Sequence, residues 1–489
     1  MTAAPTDTRH VVVIGAGIAG LAAAHRALAR GARVTVLEAS GRVGGKLLPG
    51  EIAGVRVDLG AEAMLARRPE AVGLARETGL ADRLRPPATT AAAIWTRGAL
   101  RPMPKGHVMG VPGTAAALSG VLSDEGLARV ERDAELPRTE IGDDVAVGEY
   151  VAARLGREVV DRLVEPLLGG VYAGDAYRIS MRAAVPQLFA AARTHDSLTE
   201  AVRDLQAKAA GAAPQPGPVF MGIEGGVGSL PLAVAESVRA RGGEILTDTP
   251  VTGLRREPDA GWRVVAGDRV LSADAVVVAA PARAAADLLR AEAPAAAAEL
   301  TAVEYASMAL ITLAYRRADA DRLPEGSGFL VPPVDGHTIK ASTFASRKWG
   351  WIADEDPDVV VLRTSVGRYG ETEILQRDDA DLVAVSRDDL RAATDLDATP
   401  VATRVTRWDD GLPQYPVGHH ARVARVREHV GKLPGLAVCG AAYDGVGIPA
   451  CVASGLGAAD RALGEQATAG ATATATAHPV PGAQGGTGE

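Results

Sequence analysis

The stretch VVVIGAGIAGLAAAHRALARGARVTVLEAS, residues 11–40, decides the fold of this chain. It begins with the β-branched run Val11–Ile14, which predicts a buried parallel strand. A glycine-rich turn follows, then an Ala- and Leu-rich segment that predicts a helix ending near Gly31, and a second strand is predicted over Arg33–Leu37. A strand, a glycine turn, a helix and a strand in this order predict a dinucleotide-binding βαβ unit.

The turn itself has the spacing G-x-G-x-x-G, formed by Gly15, Gly17 and Gly20. These glycines allow a tight turn, the approach of a pyrophosphate and close packing of the helix on the strand. Glu38 follows 18 residues after Gly20, near the ~20 expected for the acid that binds a ribose 2′-hydroxyl. A carboxylate there repels a 2′-phosphate, which argues against NADP. The alternative is a βαβ unit whose glycine turn holds no ligand.

The next segment, GRVGGKL at residues 41–47, distinguishes between dinucleotides. It places Arg42 and Lys46 around the pair Gly44-Gly45, and this arrangement resembles the second fingerprint of the FAD-dependent amine oxidase superfamily. The resemblance implies that glycines and basic residues lie against the pyrophosphate and flavin of FAD. Glycines permit close approach and cations bind anionic oxygens, which fits this expectation. The alternative for the two cations is a solvated surface turn.

The bulk composition excludes several classes of protein. The chain has 489 residues, enough for about three domains, with 47% hydrophobic and 23% charged residues. A net charge of −8 gives no general nucleic-acid-binding surface. Two cysteines form neither a disulfide framework nor a zinc site, so we expect a reduced, cytoplasmic setting. We expect no signal peptide at the first residues and no membrane-spanning helix, because charges interrupt every long apolar run.

The order of predicted elements indicates an α/β (α+β two-lobed) fold. It combines a discontinuous Rossmann-like FAD-binding domain, a mixed-sheet substrate domain and a helical middle subdomain. Low-complexity sequence at the end predicts a disordered tail. The predicted boundaries are 1–90, 219–295 and 434–466 for the FAD-binding domain, 91–218 for the helical subdomain, 296–433 for the substrate-binding domain and 467–489 for the tail.

Four further stretches narrow the resemblance within the superfamily. Together they resemble the protoporphyrinogen and coproporphyrinogen oxidases of heme biosynthesis, and LRPMPKG is more similar to the Gram-positive-type enzymes that act on coproporphyrinogen III. The stretches are RPMPKGHVMGVP (101–112), EPLLGGVYAGDAYRISMRAAVPQL (165–188), RWDDGLPQYPVGH (407–419) and GVGIPACVASG (445–455).

The resemblance also implies site residues. Gly170 matches a glycine that faces the flavin beside the reacting carbon, with an ordinary turn glycine as the alternative. Trp408 matches a cofactor contact but would serve equally as a core aromatic. The implied FAD contacts are Gly15, Ala16, Gly17, Ile18, Ala19, Gly20, Glu38, Ala39, Arg42, Gly45, Lys46, Gly60, Ala61, Glu62, Ala63, Val251, Trp408, Val446, Gly447, Ile448 and Pro449.

The activity implied by the resemblance is a six-electron oxidation of a porphyrinogen macrocycle. FAD takes two electrons at a time as hydride, and O₂ reoxidises it to give H₂O₂. Coproporphyrinogen carries four propionates, so cations should rim its pocket. The candidates are Arg67, Arg68, Lys105 and Arg182, and the alternative for each is a solvated surface cation.

Rival functions remain open at this point. Protoporphyrinogen IX is an alternative substrate. An amine oxidase is the nearest other enzyme, but residues 296–339 contain no lysine and 445–455 no aromatic residue. A carotenoid desaturase would favour a longer apolar tunnel and membrane association. Rab GDP-dissociation inhibitors resemble this fold as non-enzymatic binders, which need not keep the glycine fingerprint and Glu38.

Two surface questions also remain open. The mildly apolar stretch VMGVPGTAAALSGVL, residues 108–122, is either a peripheral membrane contact or the wall of an interior cavity. The histidines are scattered without ligand spacing, so we expect no metal. The sequence leaves the oligomeric state undetermined.

Overall fold

The computed structural model describes residues 8–211, 217–258 and 261–464, and the predicted tail at 467–489 lies outside them. The α/β class is confirmed, since a parallel Rossmann-like sheet and a mixed sheet form the two main layers. The parallel sheet has five strands from three separate stretches of chain, and all its neighbouring pairs are parallel. Its strands in spatial order are Glu244–Leu246, Arg33–Leu37, His10–Ile14, Ala275–Val278 and Leu436–Val438.

The parallel sheet is buried on both faces, which explains its unbroken runs of β-branched residues. Val11 and Val13 point into one hydrophobic core, and Val12 and Ile14 point into another. All four are at most 5% exposed. Because neighbouring residues of a strand alternate between faces, both layers of the nucleotide half depend on this one strand.

Helices cover both faces of the parallel sheet. Two of them matter most for the site, and we call Ile18–Ala29 the fingerprint helix and Ile448–Ala462 the C-terminal helix. The remaining helices of this half are Pro69–Glu77, Ser229–Ala240, Ala282–Leu289, Pro294–Thr301 and His419–Gly431.

The fingerprint helix lies unusually close to its neighbours. A Cβ on Gly20 would lie 1.9 Å from Gly15 O, and a Cβ on Gly455 would lie 2.0 Å from Ala19 O. No side chain fits at either position without moving backbone. The helix therefore packs directly on the turn that precedes it and on the C-terminal helix.

The mixed sheet has seven strands. Its neighbours are antiparallel except for one parallel pair, Gly328–Leu330 with Ala93–Thr96. The spatial order is Ala402–Pro413, Tyr305–Arg316, Val359–Val366, Ala341–Thr343, Gly328–Leu330, Ala93–Thr96 and Ala99–Pro102. Helices Ala345–Lys348, Gly350–Glu355 and Asp379–Thr394 accompany it.

Smaller sheets complete the fold. An antiparallel meander lies between two strands of the parallel sheet in the chain. Its strands are Val251–Arg256, Trp262–Ala266 and Arg269–Ala273. The other small strands are Pro49–Ile52, Val55–Asp58, Met64–Leu65, Leu84–Arg85, His107–Val108, Val111–Pro112 and Phe220–Ile223.

The middle of the chain is mainly helical, but its first part is not. Strands Ala93–Thr96 and Ala99–Pro102, within the predicted helical segment 91–218, belong to the seven-stranded sheet. We call Glu165–Tyr172 the glycine helix; a π-helical turn, Val160–Val164, precedes it. The other helices are Asp124–Glu131, Val147–Leu155, Arg157–Val159, Met181–Ala184, Pro186–Ala192 and Leu198–Gly211.

The apolar stretch 108–122 lies inside the helical subdomain. Met109, Val111, Leu118 and Val121 are each at most 2% exposed and belong to its core. A membrane contact through these side chains is therefore wrong, because packing already buries them. Among the residues that the structure describes, no helix is long and apolar enough to cross a bilayer.

Because the fingerprint helix lies so close to its neighbours, adding one methyl group at Gly20 should destabilise the protein strongly. Gly20→Ala should lower the free energy of unfolding by about 3 kcal/mol, since overpacking against backbone cannot relax cheaply. Gly73→Ala is the matched control: it lies in helix Pro69–Glu77 and its Cβ would meet nothing within 4 Å. It should be neutral or stabilising. Urea unfolding of both variants provides the measurement, and equal stabilities would contradict the packing argument.

Candidate active site

The fingerprint turn fixes the position of the predicted ribose-binding acid. Gly15 adopts φ +105°, which glycine tolerates, and its N–H donates to Leu37 O (2.8 Å). The Ala16 N–H donates to Glu38 Oε2 (2.7 Å), while Glu38 Oε1 accepts the Ser40 N–H (2.9 Å). Oε1 also accepts the Ser40 hydroxyl (2.8 Å), so three hydrogen bonds hold the Glu38 carboxylate in place, and Oε2 keeps capacity for a hydroxyl.

The N-terminus of the fingerprint helix faces open space. Gly17 is its N-cap, and a Cβ there would meet no protein atom within 4 Å. The amides of Ile18, Ala19 and Gly20 form the first turn, whose N–H groups lack partners within a helix. Together with the helix dipole, they favour a phosphate at this position.

The second glycine segment packs against the first. The Gly44 N–H donates to Ala16 O (2.8 Å), and Gly44 forms a parallel bridge with Gly17. A Cβ on Gly45 would lie 3.2 Å from the Gly17 Cα. The exposed Arg42 guanidinium donates to Gly45 O (2.7 Å). Glycine backbone from both loops, together with the Arg42 guanidinium, thus lies around the open space over Gly17.

Lys46 lies at the inner end of this loop. Its Nζ is 5.6 Å from the centre of the Tyr305 ring. The side chain has accessible surface, yet surrounding protein encloses it, and this desolvation lowers the pKa of Lys46, opposed by the neighbouring Cys451 and Asp410. A bound anion would stabilise the charged ammonium. Lys46 therefore suits an anionic oxygen of a cofactor.

The segment from Gly60 onward passes beneath an aromatic ring. A Cβ on Gly60 would lie 2.1 Å from Lys46 O and 3.2 Å from Trp408 Cζ2. The Trp408 Nε1–H donates to Leu59 O (3.0 Å), and the ring is half-buried. Ala61 is exposed beside it. Trp408 thereby connects the seven-stranded sheet to the predicted flavin-binding backbone.

Glu62 forms two ion pairs between the two halves. Its oxygens accept from Lys348 Nζ (2.5 Å) and Arg363 Nη1 (2.6 Å). These two cations hold the pKa of Glu62 at about 2 despite its burial. Arg363 Nη2 also donates to Gly60 O (2.7 Å), and the adjacent Ala63 is half-buried. The Glu62 side chain thus binds the substrate half, while its backbone lies in the predicted cofactor segment.

The C-terminal helix contributes a second helix N-terminus. Gly447 is its N-cap, Pro449 lies in its first turn, and Val446 packs at the edge of the helical subdomain core. Both this helix and the fingerprint helix follow strands of the same parallel sheet, so their N-termini lie at the carboxyl edge of that sheet. Ile448 and Cys451 are buried, and burial raises the pKa of the Cys451 thiol to about 12.

The predicted adenine end lies beside Glu38. The Thr249 N–H donates to Glu38 O (2.8 Å), and Val251 begins the meander two residues later. Val251 is half-buried and Ala39 is exposed. The backbone at Val251 and the ribose-binding acid therefore lie in one region, as an adenosine moiety requires.

These residues fit FAD. The open space over Gly17, the glycine backbone at Gly45, the anchored Glu38 and the desolvated Lys46 match the needs of a dinucleotide with an anionic pyrophosphate. None of these observations tests each predicted contact separately, so the individual contacts remain predictions.

Gly170 is exposed on the glycine helix. A Cβ there would meet Leu330 Cδ2 at 3.7 Å and no other atom within 4 Å. The helix ends at Tyr172, whose ring lies 5.6 Å from that of Tyr415. The Tyr415 hydroxyl donates to Ala441 O, in the loop before the C-terminal helix. These contacts bring the glycine helix close to the predicted flavin-binding loop.

Two of the four predicted substrate cations lie next to the cofactor segment. Arg67 is exposed and forms no ion pair with any residue that the structure describes. Arg68 donates to Glu70 Oε1 (2.8 Å), and its charge acts on the Cys451 thiol. Arg68 therefore lies near the start of the C-terminal helix.

The other two cations have different surroundings. Lys105 is exposed. Arg182 donates to Asp143 O (3.3 Å), and its backbone N–H donates to Asp144 Oδ1 (3.3 Å). Burial lowers the pKa of His420, and the charge of Arg182 lowers it further. No described contact joins Arg182 to Arg67 or Arg68, and the role of all four cations at the substrate stays a prediction.

The histidines are used in packing. Burial lowers the pKa of His107 to about 4, and its Nδ1 accepts the Gly110 N–H (3.0 Å). His419 stacks on Tyr415 with ring centres 4.0 Å apart. Across residues 8–211, 217–258 and 261–464, no group of three His, Cys, Asp or Glu side chains could hold a metal ion.

Several buried charges escaped the sequence analysis. Arg363 and Lys348 carry no motif, and they are more than 280 residues away from Glu62 in sequence. Lys340 lies one residue beyond the window searched for an amine oxidase lysine, and it is 7% exposed. A wider window would have found Lys340, whereas only the fold reveals the partners of Glu62.

Comparison with known proteins defines the class. The family model described as flavin containing amine oxidoreductase matches residues 18–463. The fold of a cyclohexylamine oxidase from Brevibacterium oxydans is similar, with a TM-score of 0.68 at 19% identity over 93% of this chain and 98% of that one. The chain therefore belongs to the flavin-containing amine oxidoreductase family.

Relatives named coproporphyrinogen III oxidase match this chain over nearly its full length. The coproporphyrinogen III oxidase of Mycobacterium tuberculosis (strain H37Rv) is 39% identical, covering 93% of this chain and 96% of the relative. A solved structure from Exiguobacterium, assigned provisionally as a protoporphyrinogen oxidase, has a TM-score of 0.82 at 33% identity, covering 93% and 98%. FAD is accordingly the cofactor that the family implies.

The buried ion pairs of Glu62 predict a pH-dependent stability. Glu62→Gln should lower the free energy of unfolding by about 3 kcal/mol at neutral pH, because it leaves two buried cations unpaired. The folded pKa of about 2 lies below the ordinary 4.5, so this contribution is complete above pH 4.5 and is lost as the pH falls towards 2. The difference between the variant and the wild type should shrink over that range.

Glu224→Gln is the control, since the exposed pair of Glu224 with Arg85 should contribute at most about 1 kcal/mol. Urea unfolding at several pH values measures both effects. A Glu62→Gln effect no larger than that of the control would contradict the role given to these ion pairs.

Proposed function

We propose that the protein oxidises coproporphyrinogen III to coproporphyrin III with FAD as cofactor and O₂ as electron acceptor. The observation that carries the proposal is the 39% identity, over 93% of the chain, to relatives named for this activity. The substrate loses six electrons and six protons, and three rounds of two-electron oxidation account for them.

When bound, FAD supplies hydride acceptance, two electrons at a time, and passes these electrons to O₂ to form H₂O₂. The protein must then place a reacting C–H bond and exclude water. Gly170 suits the first task, because its missing side chain leaves the face of the glycine helix open. No triad of catalytic side chains enters the proposal.

The two helix N-termini and Lys46 would hold the anionic parts of the cofactor. Gly17 and Gly447 cap these helices, and the desolvated Lys46 lies near the inner end of the glycine loops. Trp408 and Gly60 support the backbone between the two halves. The cofactor would thus be held by the backbone amides of the two helix N-termini and by Lys46.

Protoporphyrinogen IX is the alternative substrate, and an amine is the other. Lys340 is the reason to test amines, because many amine oxidases have a lysine near the flavin. Its ammonium lies 3.8 Å from Met308 Sδ, and Met308 pairs with Trp408, a predicted cofactor contact, on the neighbouring strand. A non-enzymatic binder is disfavoured by the anchored Glu38 and the open cradle over Gly17, which serve a dinucleotide.

The proposal includes a cytoplasmic location, which the two buried free thiols Cys439 and Cys451 support. It includes no membrane contact through the large apolar side chains of residues 108–122, because Met109, Val111 and Leu118 lie in the core.

The function is tested by feeding coproporphyrinogen III, protoporphyrinogen IX and a panel of primary amines separately to the flavin-loaded protein in air. Porphyrin fluorescence and H₂O₂ should both rise with coproporphyrinogen III, in a ratio of about three H₂O₂ per porphyrin set by three two-electron steps. Faster oxidation of protoporphyrinogen IX would make that compound the substrate instead. H₂O₂ produced from amines alone would show that the protein is an amine oxidase.

Two cations beside the cofactor segment, the exposed Arg67 and the half-buried Arg68, predict a selective effect on substrate binding. The double variant Arg67→Ala, Arg68→Ala should raise KM for coproporphyrinogen III roughly tenfold while flavin content stays unchanged, because carboxylate–guanidinium contacts are lost. Arg76→Ala, an exposed arginine on the helix that follows, is the control and should leave KM unchanged. An unaltered KM in the double variant would remove these two residues from the substrate site.

A further inference from the structure

A cavity lies between the glycine helix and the seven-stranded sheet. It opens to solvent, and its empty space, counted together with the adjoining solvent, is about 210 Å³. Glu165 and Gly169 line it from the helix, while Val331, Lys340 and Arg368 line it from the sheet side. Two cations and one acid thus face a space beside the helix that carries Gly170.

Lys340 brings a buried ammonium to this cavity. It is 7% exposed, and its Nζ donates to Gly367 O (2.7 Å). An ammonium has three N–H donors, so one carbonyl and the Met308 sulfur leave it without an anionic partner. Burial, reinforced by Arg368, lowers the pKa of Lys340 to about 7. A carboxylate bound beside Lys340 would stabilise its charged form.

Arg368 is held loosely. Its guanidinium contacts are all long: 3.4 Å to Glu371 Oε2, 3.3 Å to Val331 O and 3.4 Å to Ile339 O. Its side chain is nevertheless mostly buried, at 11% exposure. A planar, buried guanidinium without a close bidentate partner is suited to an incoming carboxylate.

The acid in the cavity does not neutralise these cations. Glu165 Oε2 accepts the Ala176 N–H (2.6 Å), and burial raises the pKa of Glu165 to about 7. No ion pair within 4.0 Å joins Glu165 to Lys340 or Arg368 in the described part of the chain. Glu371 faces Arg368 from the solvent side and is 47% exposed. Lys340 therefore has no carboxylate partner within 4.0 Å in the described part of the chain, and the carboxylate paired with Arg368 is exposed and 3.4 Å away.

The cavity adjoins the position predicted for the reacting carbon. Gly169 precedes Gly170 on the glycine helix, and Val331 follows Leu330, the residue nearest to Gly170. A flat macrocycle placed against Gly170 would extend its edge along this boundary. A propionate on that edge of the macrocycle would reach the cavity.

We propose that Lys340 and Arg368 form an anion subsite that binds one peripheral carboxylate of the tetrapyrrole substrate and so orients the macrocycle against Gly170. This inference rests on the proposed function and deepens it. Lys340 and Arg368 are positioning residues in this account, since they bind the periphery and not the reacting carbon.

The test uses the flavin-loaded enzyme and the variants Lys340→Met, Arg368→Gln and Arg368→Lys. The first two should raise KM for coproporphyrinogen III roughly tenfold and change kcat less than twofold, because they remove a charge-assisted contact to the periphery. Arg368→Lys should restore KM to within about threefold, since it keeps the charge. Arg316→Gln, an exposed arginine at the far end of its strand, is the control and should match the wild type.

A second measurement uses inhibition by coproporphyrin III and by its tetramethyl ester. The wild type should bind the free acid more tightly than the ester, and Lys340→Met and Arg368→Gln should reduce this preference by the same factor as they raise KM. Equal inhibition of the wild type by acid and ester would overturn the subsite, even if a variant failed to fold. So would unchanged KM in flavin-loaded variants, or a fall in kcat alone.

The outcomes separate the two proposals. A flavin-loaded wild type that does not oxidise coproporphyrinogen III would refute the proposed function. An active wild type whose variants keep both KM and the acid preference would refute the subsite alone.

Discussion

The whole arrangement depends on a backbone contact that tolerates no side chain. Gly20 lies against Gly15 O and Gly455 against Ala19 O, so the fingerprint helix touches both the preceding turn and the C-terminal helix. Both helices begin at the carboxyl edge of the parallel sheet, and the contact at Gly455 holds one against the other. Partial positive charge from two helices is thereby concentrated where an anionic cofactor belongs.

A second constraint couples this nucleotide half to the seven-stranded sheet. Glu62 is bound by Lys348 and Arg363, and Trp408 donates to the backbone just before Gly60. The side chains that hold the predicted flavin segment therefore come from the seven-stranded sheet and the helices that accompany it. A shift of either half would disturb the other, so the geometry between acceptor and substrate is maintained by buried charge as well as by packing.

Local patterns made the nucleotide half predictable. The strand over His10–Ile14, its helix and the anchored Glu38 follow from glycine spacing and β-branched runs, which act over a few residues. Contacts between distant segments were not predictable. The hairpin of Ala93–Thr96 and Ala99–Pro102 joins a sheet whose other five strands lie more than 200 residues later. Lys340 becomes informative only when the sheet places it beside the glycine helix.

The central claim is that a flavin held by these glycines takes hydrogen from a tetrapyrrole. Anaerobic mixing of the flavin-loaded protein with a single equivalent of coproporphyrinogen III tests it most directly. The account predicts rapid loss of the oxidised-flavin absorbance before any O₂ is admitted, and its return when O₂ is added. A flavin spectrum that stays oxidised during prolonged anaerobic contact would contradict the account.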